Sequence, residues 1–322
     1  MSNINFDYLI EKITKSEFCD HPFKHIYIEN FFSEKDFHKI ISTPEINLDA
    51  CSNDQELFGR LFEQNYKVIN FPGCKTDYKK YIQLHASGQS LKSHSACESS
   101  GIALRLYPQN PLLIKLNDFL ASESFNKAIA DKFNISYEHC NVDGGIQKYL
   151  DGYEISPHPD IRLKAATFMV NINTHPESEK SNHHTHYLRF KEEFAYIEEF
   201  WKTNASAERS WVPWDWCTTE LVQTKNNSIF LFSPANDTMH AVKAKYDHLQ
   251  NQRTQLYGNL WYEESKTEYS PTWEQLKVRD FSKPKLSALT AILKSKVKPS
   301  IKKILLKTNL LKIDPNISDR GY

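Results

Sequence analysis

A mainly β protein, its strands gathered into a sandwich or barrel with helices flanking them, is the fold class this sequence predicts. Three observations predict it. From about Cys140 the chain breaks into short segments rich in β-branched and aromatic residues, separated by turn chemistry. Before that point, several stretches carry apolar residues at helical spacing instead. The 322 residues suffice for one core that excludes water without disulfides or oligomerisation.

The elements follow in order. "NFDYLIEKITKSEF" spaces Phe6, Ile10, Ile13 and Phe18 as a helix does. "HPFKHIYIENFF" alternates as a strand, with His25, Tyr27 and Glu29 opposite Ile26 and Ile28. "SEKDFHKIIS" then opens a helix, with Ser33 as its N-cap and Asp36 in its first turn. "NPLLIKLNDFLAS" and "SFNKAIADKF" also read as helices. Seven strands come next: "GGIQKYL", "AATFMVNIN", "HYLRF", "TELVQTK", "NSIFLFSP", "HAVKAKY" and "RTQLYGNLWY". "KEEFAYIEEFWKTNASAERSWVPWDW" interrupts them as a helix and an aromatic loop. The expected organisation is a supporting portion at 1–139, a β core at 140–265 with an insertion at 174–216, and a C-terminal extension at 266–322.

Composition narrows the function. There is no apolar run of 18 residues to span a membrane and no basic-then-apolar leader pattern at the start. Six scattered cysteines without a CxxC pair suit reduced thiols better than a disulfide framework or a zinc ribbon. A cytoplasmic enzyme is the expectation. The zero net charge is uneven: Lys283 to Lys312 holds nine lysines and no acid, leaving a formal −9 on the rest. Apolar residues at 286, 289, 293 and 297, and at 301, 304, 305 and 311, make this stretch two basic amphipathic helices divided by Pro299. Such helices dock on anionic membrane, here at its inner surface, or on the acidic body of the chain itself. Nucleic acid is not expected, because the tail lacks interleaved arginine and aromatic residues.

The chemistry gathers around "SPHPDIRLKAATFMVNIN". His158 and Asp160 alone are more often a turn than a metal site. A third ligand comes in "SIFLFSPANDTMHAVKAKYDHLQNQRTQLYGNLWY", where His240 follows a strand and a Pro/Asn/Asp turn. Two imidazoles and one carboxylate make the facial triad that holds ferrous ion with open positions. Strand alternation would put His158 and Asp160 on one face, with His240 arriving from the opposite sheet. Arg253, thirteen residues on, is a planar fork suited to a carboxylate; buried near such a site, it needs an anion.

This His-x-Asp…His…Arg order on strands resembles the iron(II)- and 2-oxoglutarate-dependent dioxygenases, in particular the prolyl 4-hydroxylase-like branch. The resemblance covers 140–263, and "HPFKHIYIENFFSEKDFHKII" is similar to that family's opening strand and helix. It implies a double-stranded β-helix, or jelly roll, with iron on His158, Asp160 and His240. It implies 2-oxoglutarate on Arg253, with Tyr149 and Gln147 nearby, and it allows for ascorbate. The implied reaction is hydroxylation of an unactivated C–H bond, with release of succinate and carbon dioxide. The substrate would be a peptidyl residue, an amino acid or a glycan- or lipid-linked metabolite. The sequence departs from the family pattern at "NHHTH", where a Gly-Gly pair is common, and at Asn227, which stands for a turn glycine and tolerates the same left-handed backbone. A non-catalytic jelly-roll binding module and a cupin-like metalloenzyme without 2-oxoglutarate are the alternatives. The remaining features read plainly: His183, His184 and His186 as a solvated loop, His175 and His248 as exposed loop residues, Asp143–Gly145 as a turn, and "WVPWDW" as packing on the barrel mouth.

Overall fold

The computed structural model describes residues 5–70, 74, 77–87 and 101–264. Its elements alternate as the texture of the sequence suggests. Helices α1 (Tyr8–Lys15), α2 (Glu34–Ile41), α3 (Asp54–Glu63), α4 (Tyr78–Ala86), α5 (Pro111–Ala121) and α6 (Glu123–Lys132) precede the run of strands. Three short strands lie among them: β1 (Ile26–Ile28), β2 (Tyr66–Val68) and β3 (Ala103–Leu106). The core strands are β4 (Cys140–Tyr149), β5 (Glu154–His158), β6 (Lys164–Asn171), β7 (Thr185–Phe190), β8 (Cys217–Val222), β9 (Ile229–Phe232), β10 (His240–Lys243) and β11 (Arg253–Tyr262). Helix α7 (Tyr196–Thr203) lies between β7 and β8.

Two antiparallel sheets result. One has the order β1-β9-β6-β11-β4-β3-β2, the other β5-β10-β7-β8. Six of the seven consecutive pairs of core strands fall in opposite sheets, β7 and β8 alone being neighbours in one, and the eight form a double-stranded β-helix. Phe23, Met169, Tyr187, Phe230, Phe232 and Tyr257 pack together, drawing on strands of both sheets. A larger apolar cluster joins the helices to the seven-stranded sheet: Leu9, Ile13, Leu113, Leu116 and Phe125 meet Ile146, Phe168, Val170 and Leu256. Burial at roughly 25 cal/mol per Å² of apolar area holds this layer in place.

Local chemistry explains the boundaries. Ser33 caps α2 by accepting from Asp36 N at 3.1 Å. Asn227 adopts φ 55°, as its place in the turn before β9 requires, and its side chain also bonds both backbone groups of Phe32. That pins the β1–α2 corner to the barrel. Asp143–Gly145, read as a turn, is instead part of β4, paired with Tyr257–Asn259 of β11. The glycine opposite, Gly258, is needed there: a Cβ on it would lie 2.2 Å from the ring of Phe168. Within 174–216, β7 is a strand of the four-stranded sheet, and α7 and the aromatic loop stand outside both sheets. The basic stretch at 283–312 lies outside the described residues.

Candidate metal centre

His158 ends β5 and His240 begins β10, and the two are direct cross-strand partners with ring centroids 4.2 Å apart. They therefore come from one sheet, not from opposite sheets as alternation suggested. Asp160 joins them for a different reason from the expected one. The strand has ended, and Asp160 sits at φ 54°, in the left-handed region that aspartate tolerates. That turn swings its carboxylate back toward the rings, placing Oδ1 3.6 Å from His158 Nε2 and Oδ2 3.7 Å from His240 Nε2. All three residues are buried, and one ligand atom from each falls within a 4.8 Å set.

The imidazoles are oriented by backbone carbonyls. His158 Nδ1 faces Ser156 O at 2.8 Å and His240 Nδ1 faces Thr238 O at 3.0 Å. A carbonyl only accepts, so each Nδ1 carries a hydrogen, and the Nε2 of a ring in its neutral form presents a lone pair toward Asp160. Burial and the nearby His158 hold His240 down to about 3, which keeps it neutral. Burial works against the charge of Asp160, yet Lys164, His240 and His158 outweigh it and hold the carboxyl well below its ordinary range. Two nitrogen lone pairs and one carboxylate oxygen around a gap suit a divalent transition-metal ion.

Lys164 and Thr167, both from β6, were not singled out in the sequence. Lys164 Nζ donates to Asp160 Oδ1 at 2.8 Å and to the Tyr257 hydroxyl at 3.1 Å; Thr167 Oγ1 donates to Asp160 Oδ2 at 3.0 Å. Burial lowers the pKa of Lys164, but Asp160 and Tyr257 more than reverse that and keep it charged. The only one-dimensional hint was the alternation that puts Thr167 and Met169 on one face of the strand.

Arg253 begins β11, opposite Tyr149 on β4, and is 1% exposed. Its Nη2 donates to Thr185 Oγ1 and Gln255 Oε1, both at 2.9 Å, and its Cζ lies 4.7 Å from the centre of the Tyr149 ring. Nε and Nη1 have no hydrogen-bond partner. Among the described residues no carboxylate pairs with it. Burial lowers its pKa, and the neighbouring tyrosines only partly offset that. A buried guanidinium with two unused donor nitrogens calls for an anionic ligand. Gln147 lies one step back: with its oxygen accepting from Arg105, its amide nitrogen donates to the Tyr149 hydroxyl at 2.5 Å.

One cavity of about 290 Å³ brings these groups together. His158, Asp160 and His240 line it along with Arg253, Tyr149, Thr185, Lys164 and Tyr257. The other histidines read as solvent-exposed behave differently. His183 and His184 are buried, because 182–184 leads directly into β7 and packs under Tyr246 rather than projecting. Burial pushes them down to about 2 and about 4. His248 is 1% exposed and bonded to Asp54 Oδ1 at 2.7 Å. His175 is exposed, as read.

No family model matches the chain, and no curated protein does. Solved structures do. A prolyl-4-hydroxylase of Pseudomonas putida is similar at 8% identity and TM-score 0.38, over 80% of this chain and 98% of that one. A prolyl hydroxylase of Trichoplax adhaerens, solved with a hypoxia inducible factor peptide fragment, is similar at 10% identity and TM-score 0.38, over 83% and 93%. HygX of Streptomyces hygroscopicus, with nickel and 2-oxoglutarate bound, is similar at 10% identity and TM-score 0.29, over 66% and 87%. What the site can do is decided by its own atoms.

Proposed function

We propose that the protein is an iron(II)- and 2-oxoglutarate-dependent dioxygenase that hydroxylates an unactivated C–H bond of a peptidyl or small-molecule substrate. One observation carries the reading: a cavity holding two inward-facing imidazole nitrogens and a carboxylate also holds a buried guanidinium that, among the described residues, has no carboxylate of its own. His158, Asp160 and His240 would hold the ion. Arg253 and Thr185 would take the distal carboxylate of 2-oxoglutarate. With dioxygen, the bound metal and co-substrate supply an oxidation in which 2-oxoglutarate becomes succinate and carbon dioxide and one oxygen atom enters the substrate.

The chain's own part is to position and to keep dry. Ser156 and Thr238 carbonyls fix the imidazole tautomers, and Thr167 and Lys164 fix the carboxylate. The Tyr149 ring against the guanidinium and the Phe232 ring 5.0 Å from His240 exclude water from both anchors. A non-catalytic jelly-roll module, or a metalloenzyme without an acidic co-substrate, has no use for Arg253 in this state. We place the protein in the cytoplasm, on its scattered cysteines; among the described residues no helix is long and apolar enough to cross a membrane.

The test is succinate release from 2-oxoglutarate with ferrous ion and no added substrate. Turnover that depends on iron and disappears in His158→Ala and Arg253→Met is expected. Metal binding without any binding or turnover of 2-oxoglutarate would remove the co-substrate from the reading.

A further inference from the structure

The charge of Lys164 is unexplained by that chemistry, since Thr167 steadies the same carboxylate with a neutral hydroxyl. The charged side chains lining the cavity, its two histidines aside, are Asp143, Asp160, Lys164 and Arg253. Asp143 is already paired with Arg105 at 2.8 Å, so Asp160 faces two cations and the cavity carries one positive charge in excess. A divalent ion and a dicarboxylate cancel each other and leave that excess in place. Once Asp160 gives its charge to an ion, the ammonium 2.8 Å from it loses its counter-charge and gains a cationic neighbour. An uncompensated buried cation is costly, which favours one further anion in the loaded site.

The geometry says where that anion goes. Arg253, Gln255, Tyr257 and Trp261 line the cavity from one face of β11, as alternate residues of a strand do. Arg253 begins this row; Lys164 is the cross-strand partner of Trp261 at the other end, with Nζ 5.3 Å from the Trp261 ring centre and 5.6 Å from that of Tyr257. The two cations thus stand at opposite ends of the row, with roughly 13 Å of strand between Arg253 and Tyr257 alone. One anchor serves the co-substrate and the other is left over.

We infer that the substrate carries an anionic group, a carboxylate or a phosphate ester, held by Lys164 against the Tyr257–Trp261 wall. This rests on the dioxygenase reading and adds the substrate's charge to it. Wild-type protein loaded with Mn(II) and 2-oxoglutarate is titrated calorimetrically with phenyl phosphate, benzoate and neutral benzyl alcohol. The expected result is that at least one anion binds on the order of tenfold or more tighter than the alcohol. That advantage is lost in Lys164→Met and kept in Lys164→Arg. Phenyl phosphate alone points to a phosphate ester, benzoate alone to a carboxylate. Each variant is titrated at an Mn(II) concentration that saturates it, so a change in metal affinity does not enter the comparison. Anions that bind no better than the alcohol, or equally well to Lys164→Met, overturn the inference; the wild-type comparison stands even if that variant does not fold. A wild type that takes up neither Mn(II) nor 2-oxoglutarate removes the dioxygenase reading instead. In metal-free protein Lys164 stays paired with Asp160, so an anion advantage seen only there, and kept in Lys164→Met, belongs to Arg253 and overturns the Lys164 anchor.

Discussion

Two clusters in this chain have the same composition, one aspartate and two histidines, and they are wired in opposite ways. In the cavity, His158 and His240 turn Nδ1 to backbone carbonyls and stand 3.6 and 3.7 Å from the Asp160 oxygens. Those separations exceed a hydrogen bond and leave a gap. Behind the barrel, Asp54 spends one oxygen on His85 Nδ1 and the other on His248 Nε2, each at 2.7 Å, and His85 Nε2 faces Asp151 at 3.5 Å. Both nitrogens of His85 meet carboxylates, so both carry hydrogens and neither offers a lone pair. Asp151 and Asp54 hold it up to about 9 despite burial. Composition and proximity qualify either cluster as a metal site; the second partner of each imidazole separates them. The first leaves its Nε2 atoms and a carboxylate facing a gap that could hold a cation. The second already contains one and clamps α3, α4, the turn after β4 and the β10–β11 connection together.

The largest effects should therefore divide cleanly. His158→Ala is expected to weaken Mn(II) or Co(II) binding by more than about a hundredfold, beyond what loss of a supporting residue costs. His85→Ala should leave that affinity within a few-fold while lowering the denaturation midpoint. Isothermal titration and urea unfolding on both variants check it. Metal uptake that falls equally in the two would erase the distinction.

Asp54→Asn attacks the clamp at its centre. Asp54 is buried between two imidazoles, and removing its charge leaves the His85 cation with Asp151 alone, at a cost on the order of 1–3 kcal/mol. The pH dependence has a definite sign. The pKa of His85 rises on folding from its ordinary 6.5 to about 9, so the folded state holds a proton that the unfolded chain releases. Its contribution is complete below about 6.5 and is lost as pH rises through about 9. Asp54 is displaced the other way: burial opposes its charge, but His248 and His85 hold its carboxyl below the ordinary value. Its contribution is complete above that ordinary value and is lost as pH falls through the folded one. Unfolding free energy measured from pH 6 to 9.5 should decline in the wild type and decline less in His85→Gln.

The contrast also shows what the one-dimensional pattern carries. Seven of the eight core strands were legible because each is rich in β-branched or aromatic residues and bounded by turn chemistry; β5, "EISPH", lacks that texture and was not among them. That His158, Asp160, His240 and Arg253 line one cavity was legible because their order follows the strands. His248 was not: its burial depends on α3 and α4 delivering Asp54 and His85 from far away in sequence, and no local alternation encodes that. Lys164 was missed for a related reason. A lysine at the start of a strand is ordinarily a solvated end, and only the left-handed turn at Asp160 folds the carboxylate back onto it.

The two clusters meet in the β10–β11 connection, and the smallest expected effect tests whether they communicate. Tyr246 N donates to Asp151 on the clamp side, while the Tyr246 hydroxyl donates to Tyr149 O and accepts from Arg253 N at 2.9 Å. Tyr246→Phe removes the hydroxyl that accepts from Arg253 N beside the anion anchor, at about 1–3 kcal/mol in stability. Only the part of that cost that tilts Arg253 should reach the ligand. A few-fold loss of 2-oxoglutarate affinity with Mn(II) affinity unchanged is the expected outcome, read by calorimetry on the metal-loaded variant. If Asp54→Asn reproduces the same selective loss, the clamp positions Arg253 through Tyr246. If it destabilises the chain without touching 2-oxoglutarate binding, the clamp holds the barrel alone, and the two clusters share a loop but no function.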